Sequence, residues 1–101
     1  MKKEFQYQQF LTSVLEALGV TMEEVQSGSR ETKVVDARSI VAAMLNEGHG
    51  VLQVDIAELL GMTQAAVSKM LTRHRTMMHY NAPYRRKWQV VMQHSEERRS
   101  R

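Results

Sequence analysis

The sequence predicts an all-α domain of six helices, and three observations predict it. Apolar residues recur at intervals of three and four along most of the chain, the spacing of one face of a helix. The composition has one proline, eight methionines and only 6% aromatic residues. The 101 residues suffice for one domain with a modest core, and the stretches between the apolar stripes are short.

The first helix runs from about Lys3 to Leu18, carried by Phe10, Leu11, Val14, Leu15 and Leu18, and Gly19 stops it. Thr21 followed by Glu24 makes a capping box for a short second helix, Met22 to Gln26. "SGSRETK", Ser27 to Lys33, has turn composition and no stripe, so it reads as a loop. A third helix takes over from Val35, with Ile40, Val41, Met44 and Leu45 inward, and ends across Asn46, Gly48 and Gly50. The fourth spans Gln53 to Leu60, with Gly61 where a residue of positive φ closes a helix. Thr63 caps the fifth, which reaches about His79 and turns Val67, Met70, Leu71, His74 and Met78 inward. "NAP", Asn81 to Pro83, is a break, with Pro83 tolerated in a first helical turn. The sixth helix gathers Tyr84, Trp88, Val91 and Met92 on one face. Residues 1–94 form the domain, and the basic tail, residues 95–101, lacks a stripe and is expected to fray.

Several function classes drop out. There is no cysteine, hence no disulfide and no Cys-ligated zinc, which fits a reducing interior. No apolar run approaches the ~20 residues that span a bilayer, and "MKKEFQYQQF" has no apolar segment of a signal peptide. His49, His74, His79 and His94 are not spaced as a ligand pair, and no HExxH or GxSxG motif occurs. Asp36, Asp55 and Glu58 read as solvated helix faces or as charges suited to a helix N-terminus. The expectation is therefore no enzyme, no cofactor, no metal, no small-molecule ligand and no membrane partner. The net charge of +3 is unevenly placed. Residues 1–61 carry five Lys/Arg and nine Asp/Glu, a net −4, and residues 62–101 carry nine and two, a net +7. Such a split suggests a side that faces a polyanion.

The stretch "IAELLGMTQAAVSKML", Ile56 to Leu71, makes that suggestion concrete. Ala57 is small where a second helix would cross steeply. Gly61 follows four residues later, and Val67 six residues after that. Ala, Gly and Val in these places resemble the general helix-turn-helix pattern. Thr63, Gln64, Ala66, Ser68, Lys69 and Thr72 leave the outward side of the second helix small or polar, as a recognition helix requires. Gln64 suits a bidentate pair with adenine, worth roughly 1–3 kcal/mol of discrimination. Thr63 and Ser68 suit phosphate or base, Ala65 or Ala66 a thymine methyl, and Lys69 and Arg73 phosphates.

"VLEALGVTMEEVQSGSRETKVVDARSIVAAML", Val14 to Leu45, resembles the opening of the C-terminal DNA-binding domain of the bacterial replication initiator DnaA. "IAELLGMTQAAV" falls on that family's recognition-helix start and "NAPYRRKWQVV" on its closing helix, so the resemblance covers about residues 8–93. It implies a six-helix, Trp-repressor-like bundle that binds duplex DNA as a monomer in the bacterial cytoplasm, at the nucleoid. It places Arg30 in a minor groove, where A·T-rich DNA concentrates negative potential. It gives Arg38 a phosphate, with Lys33 a further candidate from the same loop. Thr63, Gln64, Ala65 and Ala66 occupy the family's "DHTT" signature but keep none of its residue types, which implies a different target sequence. No GxxxxGK[ST] loop is present, so the resemblance does not extend to the initiator's ATPase, and Met1 favours a short stand-alone protein. Two other readings stay open. One is a dimeric transcription regulator reading two half-sites. The other is a protein-interaction module that uses Met70, Met77, Met78 and Met92 as an adaptable surface.

Overall fold

The six expected segments become six helices in the computed structural model, which describes the backbone of residues 2–99 and the side chains of residues 7–94. They are α1 (Lys2–Leu18), α2 (Met22–Gln26), α3 (Thr32–Ala43), α4 (Gln53–Leu60), α5 (Gln64–Tyr80) and α6 (Ala82–Arg99). No strand occurs among the described residues. The radius of gyration, 12.6 Å, matches the ~13 Å of a single globular domain of this length.

The bundle is organised around α3. Val34, Ala37 and every residue from Ser39 to Leu45 are buried, so this helix is covered on nearly all sides. Its small residues Ala37, Ser39, Ala42 and Ala43 let neighbours approach closely. α1 packs on α3 and α6, and α5 packs on α3, α4 and α6. Leu11, Val14 and Leu15 of α1, Ile56 and Leu60 of α4, Val67 and Leu71 of α5, and Tyr84 and Val91 of α6 meet in one core.

Local chemistry sets the helix ends. The Thr21 hydroxyl accepts from the Glu24 amide at 3.1 Å, and the Glu24 carboxylate accepts from the Thr21 amide at 2.9 Å. Both halves of the predicted capping box are thus present. Asn81 caps α6 by accepting from the Tyr84 amide at 2.9 Å. Arg85 donates to the carbonyls of Met78 and His79, the orphan acceptors at the end of α5.

Three expectations need correction, and a fourth is refined. α3 begins at Thr32, so Lys33 lies in its first turn and not in the loop. The helical run from α3 ends within Asn46 to Gly50, as expected, but through a π-helical turn, Met44–Gly48, closed where the Val51 amide bonds back to the Leu45 carbonyl at 2.9 Å. Met92 is 38% exposed, because Tyr84 and Val91 already fill the inward face of α6. α6 continues as helix to Arg99, past the predicted start of the tail, and the side chains of residues 95–101 lie outside the described residues.

Candidate nucleic-acid interface

The turn between α4 and α5 is built by two backbone bonds. The Gly61 amide donates to Glu58 at 3.3 Å and the Met62 amide to Ala57 at 2.9 Å, the pair that defines a Schellman closure. The closure requires a left-handed residue, and Gly61 has φ 68°. Thr63 then leaves the turn in extended conformation, and its hydroxyl oxygen accepts from the Ala66 amide at 3.1 Å. The hydroxyl proton stays available for an outside acceptor. Beneath the turn, Ala57 is buried and Val67 is fully enclosed beside Ile56 and Leu60.

With about 100° between successive residues, Gln64, Ala65, Ser68, Lys69, Thr72 and Thr76 share one side of α5. All six are exposed, and Ala66 is half-buried at the margin. The side carries no acid, and none occurs in the sequence between Glu58 and Glu96. Among the described residues, Gln64 and Lys69 have no polar side-chain partner. Arg75 extends this side, with only a long 3.9 Å contact to the exposed Glu47.

The loop between α2 and α3 lies beside the turn. Gln26, the last residue of α2, donates from its side chain to the Leu59 carbonyl at 3.3 Å, two residues before Gly61. Arg30 and Lys33 are exposed, and neither has a polar partner among the described residues. The Gln26 bond thus ties the end of α2, four residues before Arg30, to the last turn of α4.

Two expected contact residues are placed otherwise. The Arg38 guanidinium is turned back on the loop: its Nε donates to the Val25 carbonyl and its Nη1 to Ser29, each at 2.7 Å. Its Nη2 reaches the carbonyls of Ser27 and Glu24. Arg73 is drawn to the rear of α5, where Nη2 meets Asp36 Oδ1 at 2.8 Å and Nη1 meets the Ser39 hydroxyl at 3.2 Å. The physical reason is the same for both. A buried carboxylate or a cluster of orphan carbonyls gives a guanidinium stronger partners than water does.

Asp36 is expected on a solvated helix face or at a place suited to a helix N-terminus, and the structure gives it neither. It is 4% exposed and ion-paired with both Arg73 and Lys87, the latter at 2.8 Å. It ties α3 to α5 and α6. The signal was present in the sequence: Asp36 precedes Ile40 by four residues, on the same inward side of α3. Next to this network His74 Nδ1 and the Tyr84 hydroxyl lie 2.7 Å apart, both buried. Burial pushes the Tyr84 phenol above its ordinary range. Burial likewise holds His74 below the usual histidine value, against the pull of Glu47 and with that of Arg75.

Met70, Met77 and Met78 are half-buried against the core, and Met92 is exposed. Among the described residues no three His, Asp or Glu side chains gather as a metal-ligand set, and no helix is long and apolar enough to cross a membrane. The fold and this site define an all-helical domain with a small, acid-free helix face beside an arginine-bearing loop. No family model, no curated protein and no solved structure matches the chain.

Proposed function

We propose that α4, the Gly61–Met62 turn and α5 form a helix-turn-helix, and that the protein binds double-stranded DNA sequence-specifically through α5. The observation that carries this reading is the outer side of α5: short or polar side chains, a free lysine and no acid. Short side chains let a helix axis approach base edges in a major groove about 12 Å wide. In this reading Gln64 pairs with adenine, Ala65 and Ala66 contact thymine methyls, and Ser68 reaches a base or phosphate. Thr63 and Lys69 hold phosphates. Arg30 enters the adjacent minor groove and Lys33 contacts the backbone beside it. Arg38 and Arg73 have partners inside the protein and are not assigned to DNA.

The likeness to the DnaA DNA-binding domain belongs to the same proposal. It points to replication initiation or its control, by a monomer at the bacterial nucleoid, at a site other than the initiator's own box. Transcription regulation is the neighbouring role for the same module.

The test is selection from a pool of random duplexes, followed by titration of the best site over a range of salt. Arg30, Lys33 and Lys69, with Arg75 as a fourth cation, give a slope of log K against log salt of about −3 to −4. Phosphate contacts from Arg38 and Arg73 as well would carry it past about −5. Gln64→Ala removes the preference at one base position and leaves non-specific binding in place. No enriched motif and no binding at low salt would sink the proposal. A protein-interaction module then takes its place, a reading that Leu52 and Val54 favour, being 61% and 54% exposed at the start of α4.

A further inference from the structure

The loop after α2 has little apolar anchoring, since Gln26, Ser27, Gly28 and Arg30 are all exposed. Its shape is held by polar contacts. The Ser29 amide donates to the Ser27 hydroxyl and the Glu31 amide to the Ser29 hydroxyl, each at 3.2 Å. Behind them lies Arg38. Its guanidinium collects the carbonyl of Val25 at the end of α2 and those of Ser27 and Ser29 in the loop proper, and adds a longer contact to the Glu24 carbonyl, which already accepts from the Ser27 amide and hydroxyl. A planar fork with five donors can span such a set, and a single ammonium cannot. Carbonyl oxygens gathered on a guanidinium are also oxygens that do not face an approaching phosphate.

We infer that Arg38 is a positioning residue: it latches the Ser27–Arg30 loop in the form from which Arg30 meets DNA, an inference that rests on the DNA-binding reading above. Arg30 follows directly on Ser29, whose carbonyl is among those held, so loosening the latch releases the Arg30 backbone. Arg38 itself touches no DNA.

The experiment compares Arg38→Lys, Arg38→Ala, Arg30→Ala and the double variant Arg30→Ala/Arg38→Lys, titrated on the duplex that the wild type selects. Arg38→Lys keeps the charge and loses the fork. It is expected to weaken binding about tenfold, as Arg30→Ala does. The double variant loses no more than Arg30→Ala alone, because both changes remove one interaction. A phosphate-contacting Arg38 gives the opposite pattern. Arg38→Lys then stays near wild type, Arg38→Ala flattens the salt slope by about one, and the double variant's losses add. Hydrogen exchange without DNA supplies the second readout. The Ser29 and Glu31 amides speed up in Arg38→Lys, and the α5 amides keep their protection. Unchanged loop amides overturn the inference. Lost α5 protection in both Arg38 variants also overturns it, since the arginine would then hold the domain and not the loop. A wild type that binds no duplex removes the functional reading and this inference with it. A wild type that binds while Arg38→Lys binds equally well removes the inference alone.

Discussion

Replacing Asp36 with alanine tests how far the packing of α3, α5 and α6 rests on one buried carboxylate. The Asp36 side chain is 5% exposed and meets Arg73 and Lys87, each at 2.8 Å. The substitution leaves two cations facing each other, with the Ser39 hydroxyl the remaining bonded partner of Arg73. Removing one partner from a fully buried pair costs about 3–5 kcal/mol. Here Arg73 and Lys87 keep 30% and 35% exposure, so both can turn toward water once the carboxylate is gone. That relief lowers the expected loss to about 2–3 kcal/mol. A domain of this length loses ~4–8 °C of Tm per kcal/mol, so thermal unfolding should shift down by about 10–20 °C. Urea unfolding should show the same loss with an unchanged m value, since the native surface is preserved. Asp36→Asn retains one acceptor oxygen and should fall between the two. A loss below about 1 kcal/mol in Asp36→Ala would refute the reasoning, because an exposed ion pair is worth no more than that.

Two further outcomes follow from the turn and the buried histidine. Gly61→Ala adds a Cβ that meets no atom within 4 Å, so its cost is the left-handed backbone alone, about 1–2 kcal/mol by urea unfolding; a loss well above that would mean the turn is packed more tightly than it stands. Because burial depresses His74, the unfolded chain binds its proton first as pH falls. The histidine's contribution is complete above the unfolded value near 6.5 and declines as pH drops below it, by at most about 1.4 kcal/mol per pH unit. Denaturant unfolding at pH 7.5 and 5.5 should show this decline in the wild type and a smaller one in His74→Gln; equal declines would take His74 out of the account.

Much of the fold is legible in the sequence because local chemistry and burial agree there. The second helix follows from Thr21 and Glu24 alone, and the fourth from its apolar spacing and Gly61. The inward faces of α3 and α5 coincide with their stripes at Ile40, Val41, Val67 and Leu71. Side-chain direction at the margin of a stripe is a different matter. Lys69 and Arg73 are one turn apart and only about 40° apart around α5. One faces water. The other is pulled inward by Asp36, 37 positions earlier, and nothing within α5 records that carboxylate. Arg38 is hidden for the same reason, since its partners are backbone carbonyls, which have no letter in the sequence. The place of Lys33 in the first turn of α3 is hidden because Glu31 gives that helix no side-chain cap to mark its start.

These hidden partners change what the charge asymmetry means. Residues 62–101 carry a net +7, which taken alone suggests strong attraction to any polyanion. Part of that charge is committed inside the protein. Arg73 and Lys87 share Asp36, and Arg85 closes the end of α5. The outward side of α5 is left with Lys69 and the loosely paired Arg75, while two further exposed cations, Arg30 and Lys33, come from the acidic half of the chain. An interface with so few free cations gains less from counterion release than the net charge implies. Under the proposed function its discrimination must then come from base edges, read by Gln64, Ala65 and Ser68, and from the groove shape that Arg30 senses. The two internal arginines fix local geometry: Arg73 ties α5 to α3 through Asp36 and Ser39, and Arg38 ties the loop to α3 through the carbonyls of Val25, Ser27 and Ser29.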